Sequence, residues 1–229
     1  PNRALLLDRI GQAISQAERR HGVLALLFID LDGFKTVNDS LGHQVGDLLL
    51  RSVAGRLETC TRGSDTVARI GGDEFVVLLG DLEEPEDARH VVQKLLDALS
   101  EPVTIDAHEL KVTPSVGICA YPHDGRDVET LMRNADTAMY HAKQMGRNNF
   151  QFFTQAMNDA AQSRLRLEND LRRALERGEF ALHYQPVLDL ESDAIIGFEA
   201  LIRWPHPQRG MIPPAQFIPV AEETGLIVP

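Results

Sequence analysis

Apolar side chains recur every three or four positions from Arg3 to about Arg20 (Leu6, Leu7, Ile10, Ala13, Ile14, Ala17), which predicts a helix with one buried face. The unbroken apolar run from Val23 to Ile29 predicts a buried strand, ending at the turn Asp30-Leu31-Asp32-Gly33. A short helix over Phe34 to Asn38 and a longer one over Gln44 to Leu57 follow, the second with Val45, Leu48, Leu49, Val53 and Leu57 inward. Ala68 to Leu79 reads as strand, glycine turn, strand. Glu84-Pro85 opens a further amphipathic helix carried by Ala88, Val91, Val92, Leu95, Leu96 and Leu99 and ended at Ser100, since proline suits a first helical turn. Pro102 to Ile105 and Leu110 to Ala120 pair as a small hairpin leading into a core strand, where Pro114 should remove one ladder donor. Asp127 to Met145 forms a helix stopped by Gly146, and Asn149 to Phe153 a closing strand. The sum is an α+β domain, a sheet covered by helices.

The pattern changes after Phe153. Gln155 to Arg177 is a charged helix with Leu165, Leu171, Ala174 and Leu175 on its apolar side, and it reads as a connector. Phe180 to Leu188 and Ala194 to Leu201 then make two strands of a new unit, and Pro213-Pro214 introduces a last short segment. The expected division is residues 1–153, a connector at 154–178, and a second unit at 179–229.

Composition narrows the function. Of 229 residues, 43% are hydrophobic and 25% charged, ordinary for a folded soluble domain. A net charge of -11 argues against sequence-independent binding to a nucleic acid polymer, which needs a basic surface. Cys60 and Cys119 lack metal-ligand spacing, so a reduced, cytoplasmic setting with buried thiols and no disulfide is expected. No apolar run approaches the roughly 20 residues of a membrane span, so no membrane contact by this piece is expected. Opening on Pro1-Asn2-Arg3, the sequence reads as part of a longer chain, with an upstream anchor left open.

Candidate chemistry gathers at two acidic strand ends. Asp30, the Leu31 carbonyl and Asp73 could converge as hard oxygen ligands for Mg²⁺ or Mn²⁺ if their strands are neighbours. The plainer alternative makes Asp32 a cap for the helix after Gly33 and Asp73 a turn residue. Backbone N–H groups of Gly33, Phe34 and Lys35 at that helix start suit a nucleotide phosphate. Asn38 and Asp47 offer an amide and a carboxylate able to read a guanine edge, or else a local cap and dipole partner. Lys143 and Arg147, four apart on one helix face, could clamp a polyphosphate or simply complement the helix dipole.

Taken together, Gly71-Gly72-Asp73-Glu74-Phe75, Phe28-Ile29-Asp30-Leu31-Asp32-Gly33-Phe34-Lys35, Asn38-Asp39, Leu41-Gly42-His43 and Gly46-Asp47 resemble the GGDEF diguanylate cyclases. Asp136 to Lys143 with Gly146-Arg147-Asn148 is similar to that family's last helix. The resemblance runs from Pro1 to about Phe153. It implies a palm-like antiparallel sheet of the nucleotide cyclase and polymerase type, and condensation of two GTP into cyclic di-GMP with loss of pyrophosphate. It assigns the metal to Asp30, Leu31 and Asp73, guanine to Asn38 and Asp47, and phosphates to Gly33, Phe34, Lys35, Lys143 and Arg147. Glu74 joins Asp73 and Asp30 as a catalytic candidate. One such domain holds one GTP, so turnover implies a homodimer. Arg62 and Asp65 match the spacing of the family's inhibitory product site, and Ile70 stands where the family usually has Tyr.

Tyr184-Gln185-Pro186, Glu199-Ala200-Leu201-Ile202-Arg203-Trp204 and Phe217-Ile218-Pro219 resemble the start of an EAL cyclic di-GMP phosphodiesterase, with Glu199 as its first metal ligand and Arg203 as a substrate contact. That fold is a TIM-like barrel of about 250 residues, so residues 179–229 are expected to supply only the first strands of an incomplete barrel, too short to hydrolyse cyclic di-GMP. The tandem resemblance also admits a domain that binds GTP or cyclic di-GMP and regulates an attached phosphodiesterase.

Overall fold

The computed structural model describes residues 2–106 and 108–228. The chain divides into two units, Pro1–Asn158 and Asp159–Pro229.

In the first unit the elements run α1 (Arg3–Arg20), β1 (Val23–Asp32), α2 (Phe34–Leu41), α3 (His43–Cys60), β2 (Thr66–Gly71), β3 (Glu74–Leu82), α4 (Ala88–Ser100), β4 (Val103–Ile105), β5 (His108–Leu110), β6 (Thr113–Tyr121), α5 (Val128–Gln144) and β7 (Phe150–Phe152). Five strands form one sheet in the order β2-β3-β1-β6-β7. All its pairings are antiparallel except β6 with β7. β1 lies at the centre, and both its faces are covered, which is why its sequence is a continuous apolar run rather than an alternation. Ala25, Leu27, Ile29 and Leu31 face a core shared with residues of α2, α3 and α4. Leu24, Leu26 and Phe28 face the other core, shared with α1 and α5.

Capping residues set several helix limits. Asn2 accepts a hydrogen bond from the Leu5 N–H at 3.1 Å, and Asp127 accepts one from Thr130 N–H at 2.8 Å. Cys60 and Cys119 are free thiols; Cys119 is buried as expected, whereas Cys60, the last residue of α3, is only half-buried. The hairpin expected between Pro102 to Ile105 and the core strand is instead a separate two-stranded ribbon, β4 with β5, and β6 begins only at Thr113. Residue 107, which falls between the two strands in sequence, lies outside the described residues.

Pro114 lies inside β6, opposite Leu31, without the expected ladder defect. The Val116 N–H donates to Asn149 O toward the β7 side. By alternation Pro114 points the same way, and β7, only three residues long and in register with Val116 to Ile118, does not reach it. No donor is lost from the β1 ladder.

Gly117 in β6 is where α5 comes closest. A Cβ there would lie 2.0 Å from Ala135 O and 2.1 Å from Met139 N, atoms of helix backbone that cannot rotate away. The helix that carries Asp136 and Lys143 is therefore held against the sheet by the absence of one methyl group.

The second unit begins within α6 (Gln155–Arg177) and continues through β8 (Ala181–Leu188), β9 (Ile195–His206), β10 (Gly210–Ile212) and α7 (Pro214–Thr224). Its strands form an antiparallel sheet in the order β10-β9-β8, and no barrel is closed among the described residues. Trp204, fully buried, anchors this core, its ring 5.4 Å from that of Phe217 and its indole N–H donating to Glu179. The charged helix is more than a connector, because Leu167, Leu171 and Ala174 bury against this core. Leu165, expected on that side, is exposed.

We expect Gly117→Ala to destabilise the first unit by about 3 kcal/mol, the upper end for overpacking, measured by urea denaturation. Unchanged stability would mean that α5 is free to move off the sheet.

Candidate functional site

The ladder between β1 and β3 places Asp30 opposite Glu74, its last registered pair. Phe28 and Val76, two residues back on each strand, lie in the core beneath α1 and α5. By the two-residue alternation of a strand, the Asp30 and Glu74 carboxylates emerge on that same face. Gly72, at φ 46°, closes the two-residue turn that brings Asp73 beside them, and Arg69 Nε donates to Gly72 O at 2.9 Å to brace it. A bulge at Ile70 falls between the pairs Arg69↔Phe75 and Gly71↔Glu74.

α5 supplies the opposing charge. Lys143 Nζ lies 2.8 Å from Asp30 Oδ2, both side chains being largely buried. The carboxyl of Asp30 is nevertheless raised above its ordinary range, first by burial and then by the charges of Asp73 and Asp32, while Lys143 pulls it back. Glu74 is raised too, by burial, then by Asp136, Asp30 and Asp73. Asp136 lies seven residues before Lys143 on α5 and lines, with Glu74, Ile70 and Phe28, a cavity of about 690 Å³. Exposed as a residue, Asp136 turns a desolvated carboxyl into this cleft, and its titration is also raised, with Lys143 opposing and Asp30 adding to the shift. The site is thus a crowd of carboxylates with one lysine among them.

Among the described residues no three His, Cys, Asp or Glu side chains converge as a metal site. The donor chemistry nonetheless fits Mg²⁺, which takes one or two carboxylates and completes its shell from substrate phosphates and water. Asp30 and Asp73 are such carboxylates. The Leu31 carbonyl lies past the last β1–β3 pair, and the alternation of the ladder turns it toward the β2–β3 hairpin.

The phosphate and base candidates sit where β1 gives way to α2. Gly33, at φ 78°, turns the chain, and no side chain caps α2, so the N–H groups of Phe34 and Lys35 are left without intrahelical partners. The alternative role of Asp32 as that cap is not realised, because its carboxylate turns back to β6. Phe34 is anchored in the core and Lys35 is exposed. Asn38 in α2 meets Gly46 in α3 so closely that a Cβ on Gly46 would lie 2.0 Å from Asn38 Oδ1. This contact sets the exposed Asp47 beside Asn38, whose Oδ1 is buried without a hydrogen-bond partner.

Lys143 and Arg147 do not share a helix face. α5 ends at Gln144, Gly146 takes φ 107°, and Arg147 follows in the left-handed region at φ 62°. Arg147 instead meets Asp32, Nε to Oδ1 at 3.8 Å. Asp32 and Asp136 belong to the cluster, although sequence reading weighed Asp32 only as a helix cap and gave Asp136 no role of its own. The Asp-x-Asp spacing on a strand, which puts Asp30 and Asp32 on one face, was the signal for the first.

Arg62 and Asp65 form a turn at the other end of β2. The Arg62 N–H donates to Asp65 Oδ2 at 2.8 Å and the Asp65 N–H to Arg62 O at 3.0 Å. The Arg62 side chain is exposed there. In the second unit Glu199 is exposed on β9 opposite Gln185, and Arg203, four residues on, donates to the neighbouring Ile202 carbonyl.

Known proteins share this arrangement of sequence. Residues 1–149 match the family model described as diguanylate cyclase, GGDEF domain, and residues 168–229 match that of the EAL domain. The bifunctional diguanylate cyclase/cyclic di-GMP phosphodiesterase MucR of Pseudomonas aeruginosa is 54% identical over 100% of this chain and 33% of its own length. The cyclic di-GMP phosphodiesterase NbdA of the same organism is 42% identical over 99% of this chain and 29% of its own. A solved structure of an EAL/GGDEF domain protein from M. capsulatus superposes with a TM-score of 0.59 at 51% identity, covering 67% of this chain and 99% of that one. The chain therefore spans about a third of the length of these curated relatives. The span matched to the GGDEF model holds the acidic hairpin, the Asp30 strand end and the α5 lysine, and the chain belongs to the GGDEF family of cyclic di-GMP signalling proteins and runs on into the start of an EAL domain.

Proposed function

We propose that the first unit is a Mg²⁺- or Mn²⁺-dependent diguanylate cyclase that condenses two GTP into cyclic di-GMP with release of pyrophosphate, two domains meeting face to face. The observation that carries this reading is the opposition of Asp30 and Glu74 across β1 and β3, with Lys143 held 2.8 Å from Asp30. Asn38 and Asp47 read the guanine edge. The N–H groups at Gly33, Phe34 and Lys35 hold phosphate oxygens, aided by Lys143 and Arg147. Asp30, Asp73 and the Leu31 carbonyl hold the divalent ion, which supplies polarisation of the α-phosphate and lowers the pKa of the attacking 3′-hydroxyl. Glu74, its carboxyl already raised, takes the 3′-hydroxyl proton as the new O–P bond forms and pyrophosphate leaves. Arg62, exposed at the far end of β2, and the half-buried Asp65 beside it take the guanine of a product molecule and restrain turnover.

The second reading is a domain that binds GTP or cyclic di-GMP and regulates an attached phosphodiesterase. The name of NbdA, a phosphodiesterase with this same stretch, favours it.

Incubation of the dimerised chain with GTP and Mg²⁺ decides between them, cyclic di-GMP formation supporting the cyclase and GTP binding without product supporting the regulator. Asp73→Ala should remove turnover by more than about a hundredfold while leaving the thermal midpoint near that of the wild type, and retained turnover would refute its role as a ligand.

The pH dependence follows from the raised carboxyls. Protonated Asp30 and Glu74 persist to higher pH than ordinary carboxylates, so function needing both ionised is lost as pH falls through their raised values. Protons should therefore compete with Mg²⁺ for the metal-free site at pH values above the ordinary carboxylate value of about 4, and a Mg²⁺ affinity, by calorimetry, that stays constant down to that value contradicts the assignment. The linkage to stability has the opposite sign. A folded-state pKa above the unfolded one means that the ionised cluster opposes folding at neutral pH, and this opposition is relieved as pH falls.

Replacing Arg62 by Ala should weaken cyclic di-GMP binding by about tenfold or more with GTP affinity unchanged. Equal affinity for product in wild type and variant, by calorimetry, removes the inhibitory site.

A further inference from the structure

One carboxylate next to the site collects more partners than any role assigned so far requires. Asp32 Oδ2 accepts from the Thr113 hydroxyl at 3.0 Å and from the Asn148 backbone N–H at 3.2 Å. Its Oδ1 accepts from the Ser115 hydroxyl at 2.8 Å and faces Arg147 Nε at 3.8 Å. The side chain is only 7% exposed, whereas that of Arg147 is 63% exposed. Two of these donors belong to β6 and two to the turn after α5.

That turn is strained. Gly146, Arg147 and Asn148 adopt φ of 107°, 62° and 48° in succession, and two of the three carry a Cβ. Side chains in the left-handed region persist only where their surroundings hold them. Asn149 holds part of the turn, its Nδ2 donating to Ala142 O at 2.8 Å and Arg147 O at 2.9 Å. Ser100 holds another part, its hydroxyl donating to Asn148 Oδ1 at 3.1 Å. Backbone bonds from the Gly146 and Arg147 N–H groups to Lys143 O and Ala142 O add to these, and among the side chains that hold the turn Asp32 alone carries a charge and faces the guanidinium. A buried carboxylate whose hydroxyl donors both lie on one strand is fixed in place, and it can therefore fix what binds to it.

Resting on the assignment of Arg147 to the GTP phosphates, we infer that Asp32 is the positioning residue for that arginine. It locks the strained Arg147-Asn148 turn through the Asn148 N–H, and its charge directs an otherwise exposed guanidinium toward the end of β1, beside the first turn of α2. Arg147 then reaches the phosphates already oriented, and less side-chain freedom is lost on binding. A purely structural Asp32 would tie β1 to β6 and leave Arg147 to act independently. A carboxylate that merely neutralised Arg147 would weaken its grip on phosphate.

These readings separate in a double-mutant cycle on this 229-residue chain. Binding of a non-hydrolysable GTP analogue with Mg²⁺ is measured by calorimetry for the wild type, Asp32→Asn, Arg147→Ala and the double variant, with guanosine as the ligand lacking phosphates. Positioning predicts that each single change weakens the analogue by about tenfold, that the double change is little worse than either, and that guanosine affinity does not move. Additive losses, or unchanged or tighter binding in Asp32→Asn, overturn the inference while leaving the cyclase assignment intact. Failure of the wild type to bind the analogue overturns both together. Hydrogen exchange gives an independent readout, since the Asn148 amide should lose protection in Asp32→Asn while amides of β1 and β6 keep theirs. Should Asp32→Asn fail to fold, Thr113→Val removes one of its anchors at constant charge, and the same non-additivity with Arg147→Ala is expected at smaller amplitude. Full additivity there sinks the proposal.

Discussion

Asp30 and Glu74 face one another across neighbouring antiparallel strands, at a separation where like charges repel. The rest of the site answers this one electrostatic problem. Desolvation sharpens it by raising both carboxyls, and Asp73 adds a third charge at the turn. Lys143 is the compensating cation supplied by the protein, and it reaches Asp30 only because α5 lies against β6 at Gly117. A missing methyl group in the sheet and an ion pair in the site are thus two ends of one chain of causes. A site with more negative charge than its own lysine can neutralise is poised for a further cation, which is the physical content of the proposed metal dependence.

The same economy appears one strand position further along. Asp30 and Asp32 share a face of β1, and each meets a cationic residue from the C-terminal end of α5 or the turn beyond it. Lys143 is still helical and well packed, whereas Arg147 lies past the helix in a conformation that needs outside support. The hydroxyls of Thr113 and Ser115 make Asp32 a fixed point. Pro114 between them is tolerated because its missing N–H faces the side that β7 does not reach. A proline that reads as a flaw in the strand therefore sits in the segment that steadies the site.

The two units differ in how completely they cover their apolar surface. The first buries both faces of its central strand. In the second, Trp204 and α6 cover one side of the small sheet, while Leu182, Tyr184, Ile196 and Phe198 are exposed. The extent of the relatives, of which this chain spans about a third, accords with a second unit that belongs to a larger EAL domain.

By itself the sequence determined the element order, the buried central strand, the acidic hairpin and the family, because hydrophobic periodicity and turn residues are local signals. Asp30, Asp73 and Glu74 were legible as candidates for the same reason, each lying at a strand end or turn, and Asn38 and Asp47 as an amide and a carboxylate on the two helices that follow β1. Only the tertiary structure decided that Lys143 meets Asp30, that Arg147 leaves its helix to face Asp32, and that Pro114 leaves the β1 ladder whole. Those outcomes depend on which residues more than eighty positions apart share a strand register, and on the side toward which each backbone group points. No local pattern carries that information, since register and facing are set by the closure of the whole sheet.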